Sequence, residues 1–119
     1  MRSKTRIFGG PASVVYTTVS SMDDAQKLAN SLVEAHLAAC ATILENVHSV
    51  YRWKGTVENA KEFMIMIKTR RSLTSKVIKH LKQIHPYEVP EAISVSVIAG
   101  SEYLKWLEGV TQTVVHEKR

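Results

Sequence analysis

The spacing of apolar and polar positions switches between the strand period of two and the helix period of 3.6 along the chain. Residues 13–19 are dense in β-branched and aromatic side chains, which predicts a buried strand. Over residues 23–37 the apolar side chains recur at helical spacing and fall within one arc of about 160°. This pattern predicts a helix with one buried face, for which Ser20 or Ser21 offers an N-cap.

Strand-like alternation returns over residues 40–54 and 61–70, with Gly55 between them. This arrangement predicts a long β-hairpin. A long hairpin that protrudes from a small domain leaves apolar surface for another chain to bury. Four residues of the first hairpin strand are expected on one face, namely Val47, Ser49, Tyr51 and Trp53.

A second amphipathic helix is predicted to follow the hairpin. Ser72 offers its N-cap, the apolar stripe runs to about Ile84, and Pro86 stops it. The proline also forces the preceding His85 into an extended conformation.

Three short elements are predicted to close the chain: a strand over residues 92–98, a helix over residues 102–108 and a last edge strand over residues 110–116. The resulting order, βαββαβ with a short C-terminal helix and strand, predicts an α+β, ferredoxin-like fold. Two helices would cover one face of a four-stranded antiparallel sheet. The other face carries several apolar residues, which favours a partner over water or ligand.

The length of 119 residues predicts one domain over residues 13–116, with a flexible basic leader over residues 1–12 and a tail over residues 117–119. The single cysteine, Cys40, excludes an internal disulfide and favours a reducing compartment, for which we expect the cytoplasm. No apolar run approaches the roughly 18 residues of a membrane span, so no membrane partner is expected.

The net charge of +5 is concentrated in two segments. Residues 1–22 contain three basic and no acidic side chains, and residues 63–87 contain six basic and no acidic side chains. A basic strip of this kind suits phosphates, but its helical spacing also fits an ordinary solvated face. Nucleic acid is an unlikely partner, because the third strand offers a single aromatic residue, Phe63, where RNA-binding domains of this fold interleave several.

The densest polar cluster covers residues 85–91, with the sequence His-Pro-Tyr-Glu-Val-Pro-Glu. It places an imidazole, a phenol and two carboxylates on a loop stiffened by proline, as a metal or small-ligand site requires. The alternative is a rigid connector between a helix and a strand. The chain contains no glycine-rich phosphate loop, no nucleophile elbow and no paired histidines at metal-ligand spacing, so no enzymatic activity is expected.

The sequence over residues 51–55, Tyr-Arg-Trp-Lys-Gly, alternates aromatic and cationic side chains. Such a strand stacks on a base or holds a small ligand by cation–π contacts, or else packs against a neighbouring strand or subunit. A lone cysteine such as Cys40 is more often a small buried hydrophobe than a reactive group.

Five short motifs, in this order and at these separations, resemble the CutA divalent-cation tolerance proteins: Ala38-Ala39-Cys40, Tyr51-x-Trp53-x-Gly55, Lys68-Thr69, His85-Pro86-Tyr87-Glu88-x-Pro90-Glu91 and Tyr103-Leu104-x-Trp106-Leu107. The resemblance implies a homotrimer of ferredoxin-like subunits, similar in build to the PII signalling trimers. It also implies a role in copper tolerance with weak binding of copper or another divalent metal and no organic cofactor. The alternative is a trimeric small-ligand-binding signalling or protein-anchoring scaffold in which metal is incidental.

The copper site proposed for bacterial members carries over only in part. It has a cysteine in the first strand and two histidines before the Pro-Tyr pair. Here Thr17 stands near the cysteine position and Ile84 at the first histidine, so His85 is the one candidate metal ligand, aided by Glu88, Glu91 or a second subunit. The remaining shared residues are candidates for an inter-subunit ligand cleft: Tyr51, Trp53, Lys68, Tyr87, Glu88, Tyr103 and Trp106.

Overall fold

A computed structural model describes residues 8–113 of the chain. The elements are β1 (Phe8–Val19), α1 (Met22–Glu34), β2 (Cys40–Trp53), β3 (Thr56–Thr69), a short 3-10 turn (Arg71–Leu73), α2 (Thr74–Ile84), β4 (Ile93–Gly100) and α3 (Ser101–Gly109). The strands form one antiparallel sheet in the order β2-β3-β1-β4. This order confirms the predicted α+β, ferredoxin-like architecture.

The main core lies between one face of the sheet and helices α1 and α2. It takes alternate residues of the two central strands, such as Val15 of β1 and Ile65 of β3, both fully buried. Leu32 of α1 and Leu81 of α2 pack onto them and are also fully buried. No helix within residues 8–113 is long and apolar enough to cross a membrane.

The two helices begin differently. Ser21 caps α1 as predicted, since its hydroxyl accepts a 3.0 Å hydrogen bond from the backbone N–H of Asp24. The prediction that Ser72 caps the second helix is wrong. A 3-10 turn leads into α2, Leu73 occupies the N-cap position, and the Thr74 hydroxyl donates a 2.8 Å hydrogen bond to the carbonyl of Arg71.

The first strand begins earlier than predicted. Residues 8–12 belong to β1, which pairs with β4, so the prediction of a leader over residues 1–12 is wrong for residues 8–12. Residues 1–7 and the predicted tail over residues 117–119 lie outside the described residues. The glycines and proline in this segment, which indicate a loop when read locally, are accommodated because β1 has an irregular register between Phe8 and Gly10.

The predicted edge strand over residues 110–116 is absent from its described part, residues 110–113; the remainder lies outside the described residues. This segment instead covers the end of α1. The backbone N–H of Gln112 donates a 2.8 Å hydrogen bond to the carbonyl of His36, and its side-chain amide donates one of 2.8 Å to the carbonyl of Ala35.

The β2–β3 hairpin extends beyond the rest of the sheet. Its pairing continues to Trp53 opposite Thr56, whereas β1 leaves β3 after Val19 opposite Phe63. Positive φ angles of 49° at Lys54 and 86° at Gly55 form the tight turn, a conformation that favours glycine.

A bulge in β2 decides which side chains face which side of the hairpin. The register shifts between Leu44 and Val47, and Asn46 has a φ of 59°. After the bulge the odd-numbered residues of β2 face the side of the sheet away from α1 and α2. The structure therefore confirms that Val47, Ser49, Tyr51 and Trp53 share a face.

The open face, defined as the side of the sheet away from α1 and α2, is only partly covered. Helix α3 packs on one end of it through Leu104 and Leu107. Elsewhere Leu44, Ile93 and Val95 are 39%, 55% and 45% exposed. A patch of this kind on a small domain is typical of an interaction surface.

Candidate functional site

A cleft of about 810 Å³ lies on the open-face side of the protruding hairpin. The loop over residues 86–91, which connects α2 to β4, forms the opposite wall. Tyr51 and Trp53 reach the cleft because the β2 bulge turns them to this side. The carboxylates that line the cleft are Glu62, Glu88 and Glu91.

His85 lies behind this loop, at the C-terminal end of α2, where its backbone is extended because Pro86 follows. Its Nε2 is 3.0 Å from the carbonyl oxygen of Thr18 and 3.0 Å from the hydroxyl oxygen of Thr17. Its Nδ1 accepts a 3.1 Å hydrogen bond from the backbone N–H of Tyr87. Nδ1 therefore carries no proton, and Nε2 donates its proton toward the Thr18 carbonyl. Both nitrogens of the neutral ring are engaged.

Tyr87 joins the loop to the hairpin. Its hydroxyl donates a 2.6 Å hydrogen bond to Oε2 of Glu62, and its ring centroid lies 4.9 Å from that of His85. Burial and, next, the hydrogen bond to Glu62 raise the pKa of Tyr87 well above its ordinary value. The phenol therefore stays protonated at neutral pH and fixes the position of the Glu62 carboxylate.

Glu62 is the most unusual group in the cleft, because it is a carboxylate that is only 5% exposed. Within residues 8–113 it has no salt bridge, and its Oε1 has no hydrogen bond. Thr18 beside it is 6% exposed, and its hydroxyl also lacks a hydrogen bond in this part of the chain. Burial and the Glu62 charge raise the pKa of Glu91. A buried charge is costly unless it is paired, so this cleft favours a positively charged ligand.

The predicted ligand residues divide into two groups in the single chain. Four of them line the cleft: Tyr51, Trp53, Tyr87 and Glu88. The other three, Lys68, Tyr103 and Trp106, lie near α3 on the open face and are not part of the cleft wall. That all seven line one inter-subunit cleft stays a prediction.

Lys68 contacts two polar side chains. Its ammonium donates a 3.1 Å hydrogen bond to the Thr42 hydroxyl and lies 4.0 Å from the Cys40 sulfur. Burial and, next, the neighbouring Cys40 raise the pKa of Tyr103, whose ring lies 5.4 Å from that of Trp106.

Glu62 is not among the site residues that the sequence predicted. A signal was present: Glu62 falls on the same alternating positions of β3 as Met64 and Met66, so an acid extends a row of apolar side chains. That it meets Tyr87, 25 residues further along the chain, depends on the tertiary fold.

The residues fit a divalent metal only in part. No group of three or more histidine, cysteine or acidic side chains within residues 8–113 could hold a metal ion. Coordination by His85 requires a free nitrogen lone pair, so the metal must displace the Tyr87 N–H from Nδ1. The hydroxyl oxygen of Thr17 lies 3.0 Å from Nε2 of His85, and Ile84 is 39% exposed.

His85 makes the stability of the fold dependent on pH. Burial lowers the pKa of His85 below its ordinary value of 6.5, so the unfolded chain binds its proton more readily than the folded protein. The stabilisation is complete above about pH 6.5 and is lost as the pH falls toward the folded pKa. We therefore expect the temperature at the midpoint of thermal unfolding to decrease when the pH is lowered from about 8 to about 5.5.

In His85→Gln, this pH dependence should be smaller over the same range, while His48→Gln, which replaces an exposed histidine of β2, should behave as the parent protein. The raised pKa of Glu91 is common to all three proteins and cancels in the comparison. Equal slopes for the parent and His85→Gln would contradict the assignment.

The sequence is similar to those of known proteins. Residues 13–110 match the model of a family described as CutA1 divalent ion tolerance protein. The chain is 43% identical over 103 residues to the chloroplastic protein CutA of Arabidopsis thaliana, covering 86% of this chain and 57% of that protein. It is 43% identical over 97 residues to the divalent-cation tolerance protein CutA of Pectobacterium atrosepticum, covering 81% of this chain and 88% of that protein. The chain thus spans little more than half of its plant relative.

The fold agrees equally well with solved structures. The crystal structure of CutA1 from Oryza sativa superposes with a TM-score of 0.84 at 38% identity, covering 89% of this chain and 98% of that one.

Proposed function

Because the chain belongs to the CutA1 divalent ion tolerance protein family, we propose that it contributes to tolerance of divalent metal ions, copper among them, by binding the cation weakly. The observation that supports a cation is the cleft with three carboxylates, one of them buried without a salt bridge among the described residues. His85 is the proposed nitrogen ligand, and Glu88 or Glu91 or a second subunit would complete the coordination. We expect modest affinity, because the metal competes with the Tyr87 N–H for Nδ1.

Titration of the native protein with copper(II) tests this assignment. We expect His85→Ala to weaken binding by at least about tenfold, since one imidazole is the main nitrogen ligand. His48→Ala removes an exposed histidine of β2 that lies outside the cleft and should bind copper as the parent does. If the isotherms of the parent protein and His85→Ala overlay, His85 is not the ligand.

We also propose that the working form is a homotrimer. The partly exposed apolar side chains of the open face support a partner, and the protruding hairpin offers further strand edge beyond Val19 and Phe63. Three copies related by a threefold axis would cover this face while leaving α1 and α2 outside.

Two further features complete the proposal. The protein acts by binding rather than by catalysis, and it resides in the cytoplasm, where a single free thiol such as Cys40 is stable. The alternative function, a small-ligand-binding scaffold in which metal is incidental, draws support from the aromatic walls of the cleft, since a bare metal ion has no need of them.

A further inference from the structure

The open face carries a buried negative charge that has no counter-charge among the described residues. Glu62 of β3 is 5% exposed, and no basic side chain within residues 8–113 forms a salt bridge with it. The hydrogen bond from Tyr87 occupies Oε2 and leaves Oε1 as an acceptor. A buried carboxylate is costly unless a positive charge meets it, so the assembled protein requires a cationic group at this position.

Lys68 is a positive group of the matching kind. Within the four described strands, it is the only basic residue at a position that faces the open side of the sheet. Its ammonium donates a 3.1 Å hydrogen bond to the Thr42 hydroxyl and lies 4.0 Å from the Cys40 sulfur, and no carboxylate within residues 8–113 forms a salt bridge with it. Of its three donor hydrogens, one remains for a carboxylate.

Glu62 and Lys68 cannot meet within one subunit. They are six positions apart on β3, where Glu62 pairs with Val47 and Lys68 pairs with Cys40. An extended strand rises about 3.3 Å per residue, so the Cα atoms of Glu62 and Lys68 are about 20 Å apart, farther than the two side chains together can span. A second copy of the chain presents the same two charges again and can bring them together.

A ring of three copies gives each of these charges one partner. Glu62 lies at the base of the protruding hairpin, one residue before Phe63, where β1 leaves β3, and Lys68 lies near α3. The open face therefore has a negative charge toward one end and a positive charge toward the other. In a closed ring the contacts are heterologous, so one end of this face meets the other end of the next copy.

We propose that Glu62 of each subunit forms a salt bridge with Lys68 of the partner subunit, and that this contact completes the cleft. The inference rests on the homotrimer proposed above and names the contact that closes it. Oε1 of Glu62 accepts the ammonium hydrogen while Oε2 keeps its bond to Tyr87. The other two carboxylates of the cleft, Glu88 and Glu91, take no part, so metal binding at His85 does not depend on the pair.

The salt bridge brings together two groups of aromatic side chains that are separate in the single chain. These are Tyr51 and Trp53 of the hairpin and Tyr103 and Trp106 of α3. The cleft then has one wall from each of two subunits, and its charge is partly neutralised at the buried end.

A double-mutant cycle on the trimer tests the pair. Glu62→Gln keeps an acceptor for Tyr87 and removes the charge, and Lys68→Gln removes the opposite charge. Each should raise the dissociation constant of the trimer by at least about tenfold, because it leaves the other charge buried and unpaired. The protein with both substitutions should dissociate little more readily than either single variant. Sedimentation of a dilution series at a fixed guanidinium concentration measures the constants.

Lys79→Gln is the matched control, because it removes the same charge from the exposed side of α2. Its effect should be small and should add to that of Glu62→Gln. Additive effects of Glu62→Gln and Lys68→Gln in a trimeric protein would overturn the salt bridge and leave the homotrimer standing.

Cross-linking detects the contact independently of stability. In a Cys40→Ser background, Glu62→Cys combined with Lys68→Cys should give covalent trimers with a short bismaleimide, since each subunit is then linked to both neighbours. Glu62→Cys combined with Lys79→Cys should give none. Absence of covalent trimers from the first pair would contradict the contact, and a monomeric parent protein would contradict the contact and the homotrimer together. Copper titration of the parent and His85→Ala reports on metal binding separately from both results.

Discussion

Val95→Asp is expected to separate the proposed homotrimer into single chains. Val95 lies on the open face in β4, opposite Val14 of β1, and is 45% exposed in the single chain. In the proposed trimer this position is buried between subunits. An unpaired charge buried in an apolar contact costs about 3–5 kcal/mol, and threefold symmetry repeats that cost in every subunit.

Light scattering coupled to size exclusion measures the outcome. The parent protein should have three times the 13.3 kDa mass of one chain, and Val95→Asp should have the mass of one chain. Ser94→Asp is the matched control, because the neighbouring residue of the same strand points to the other face of the sheet. A trimeric Val95→Asp would show that the open face is not the contact, and a monomeric parent protein would contradict the trimer itself.

Gly9→Ala is expected to lower the free energy of unfolding by about 1–3 kcal/mol. A Cβ atom at Gly9 would lie 2.7 Å from the Cα of Ser101 and 3.1 Å from the carbonyl oxygen of Gly100. Both neighbours are backbone at the start of α3, so the added methyl forces β1 and the β4–α3 junction apart.

Denaturant unfolding compares this variant with Gly109→Ala, where an added Cβ meets nothing within 4 Å. Gly109→Ala should leave stability unchanged or raise it slightly, because alanine restricts the unfolded chain. If both variants unfold at the same denaturant concentration as the parent protein, the segment around Gly9 does not pack against α3 as described.

The Gly9 contact illustrates where local reading of the sequence fails. Glycine and proline in residues 9–11 are typical of a loop, and a leader was predicted there. The pairing of Pro11 with Ile98 and the packing of Gly9 on Ser101 involve segments about 90 residues away. No pattern within the first dozen residues contains that information.

The second helix shows the same limit on a smaller scale. The apolar stripe was predicted to bury Leu73, Val77, Leu81 and Ile84. The first three are fully buried, but Ile84 at the end of the helix is 39% exposed. Its start differed from prediction because the Thr74 hydroxyl, which donates to the Arg71 carbonyl, also lies 2.8 Å from the hydroxyl oxygen of Ser13 in β1. Tertiary contacts of this kind override local capping preferences.

The candidate site was likewise predicted only in part from the sequence. Residues 85–91 were identified as a candidate site from their composition alone, and four of the predicted ligand residues do line the cleft. Only the tertiary fold shows that Glu62 lies in the cleft, where it is the most buried of the three carboxylates. The β2 bulge, which brings Tyr51 and Trp53 to the same side as Glu62, has no clear signature in the sequence beyond Asn46, whose side chain tolerates a positive φ.

By itself, the sequence determined the order of elements from β1 to α3, the buried faces of α1 and α2, the tight turn at Gly55 and the family. These follow from periodicity, from local backbone preferences and from short motifs, which act over a few residues. Only the tertiary structure decided that β1 extends to Phe8, that a carboxylate at position 62 is buried beside Tyr87, and that the cleft is acidic in a basic protein. Those properties arise from contacts between distant segments, where burial and the absence of a paired charge, rather than residue type, set the chemistry.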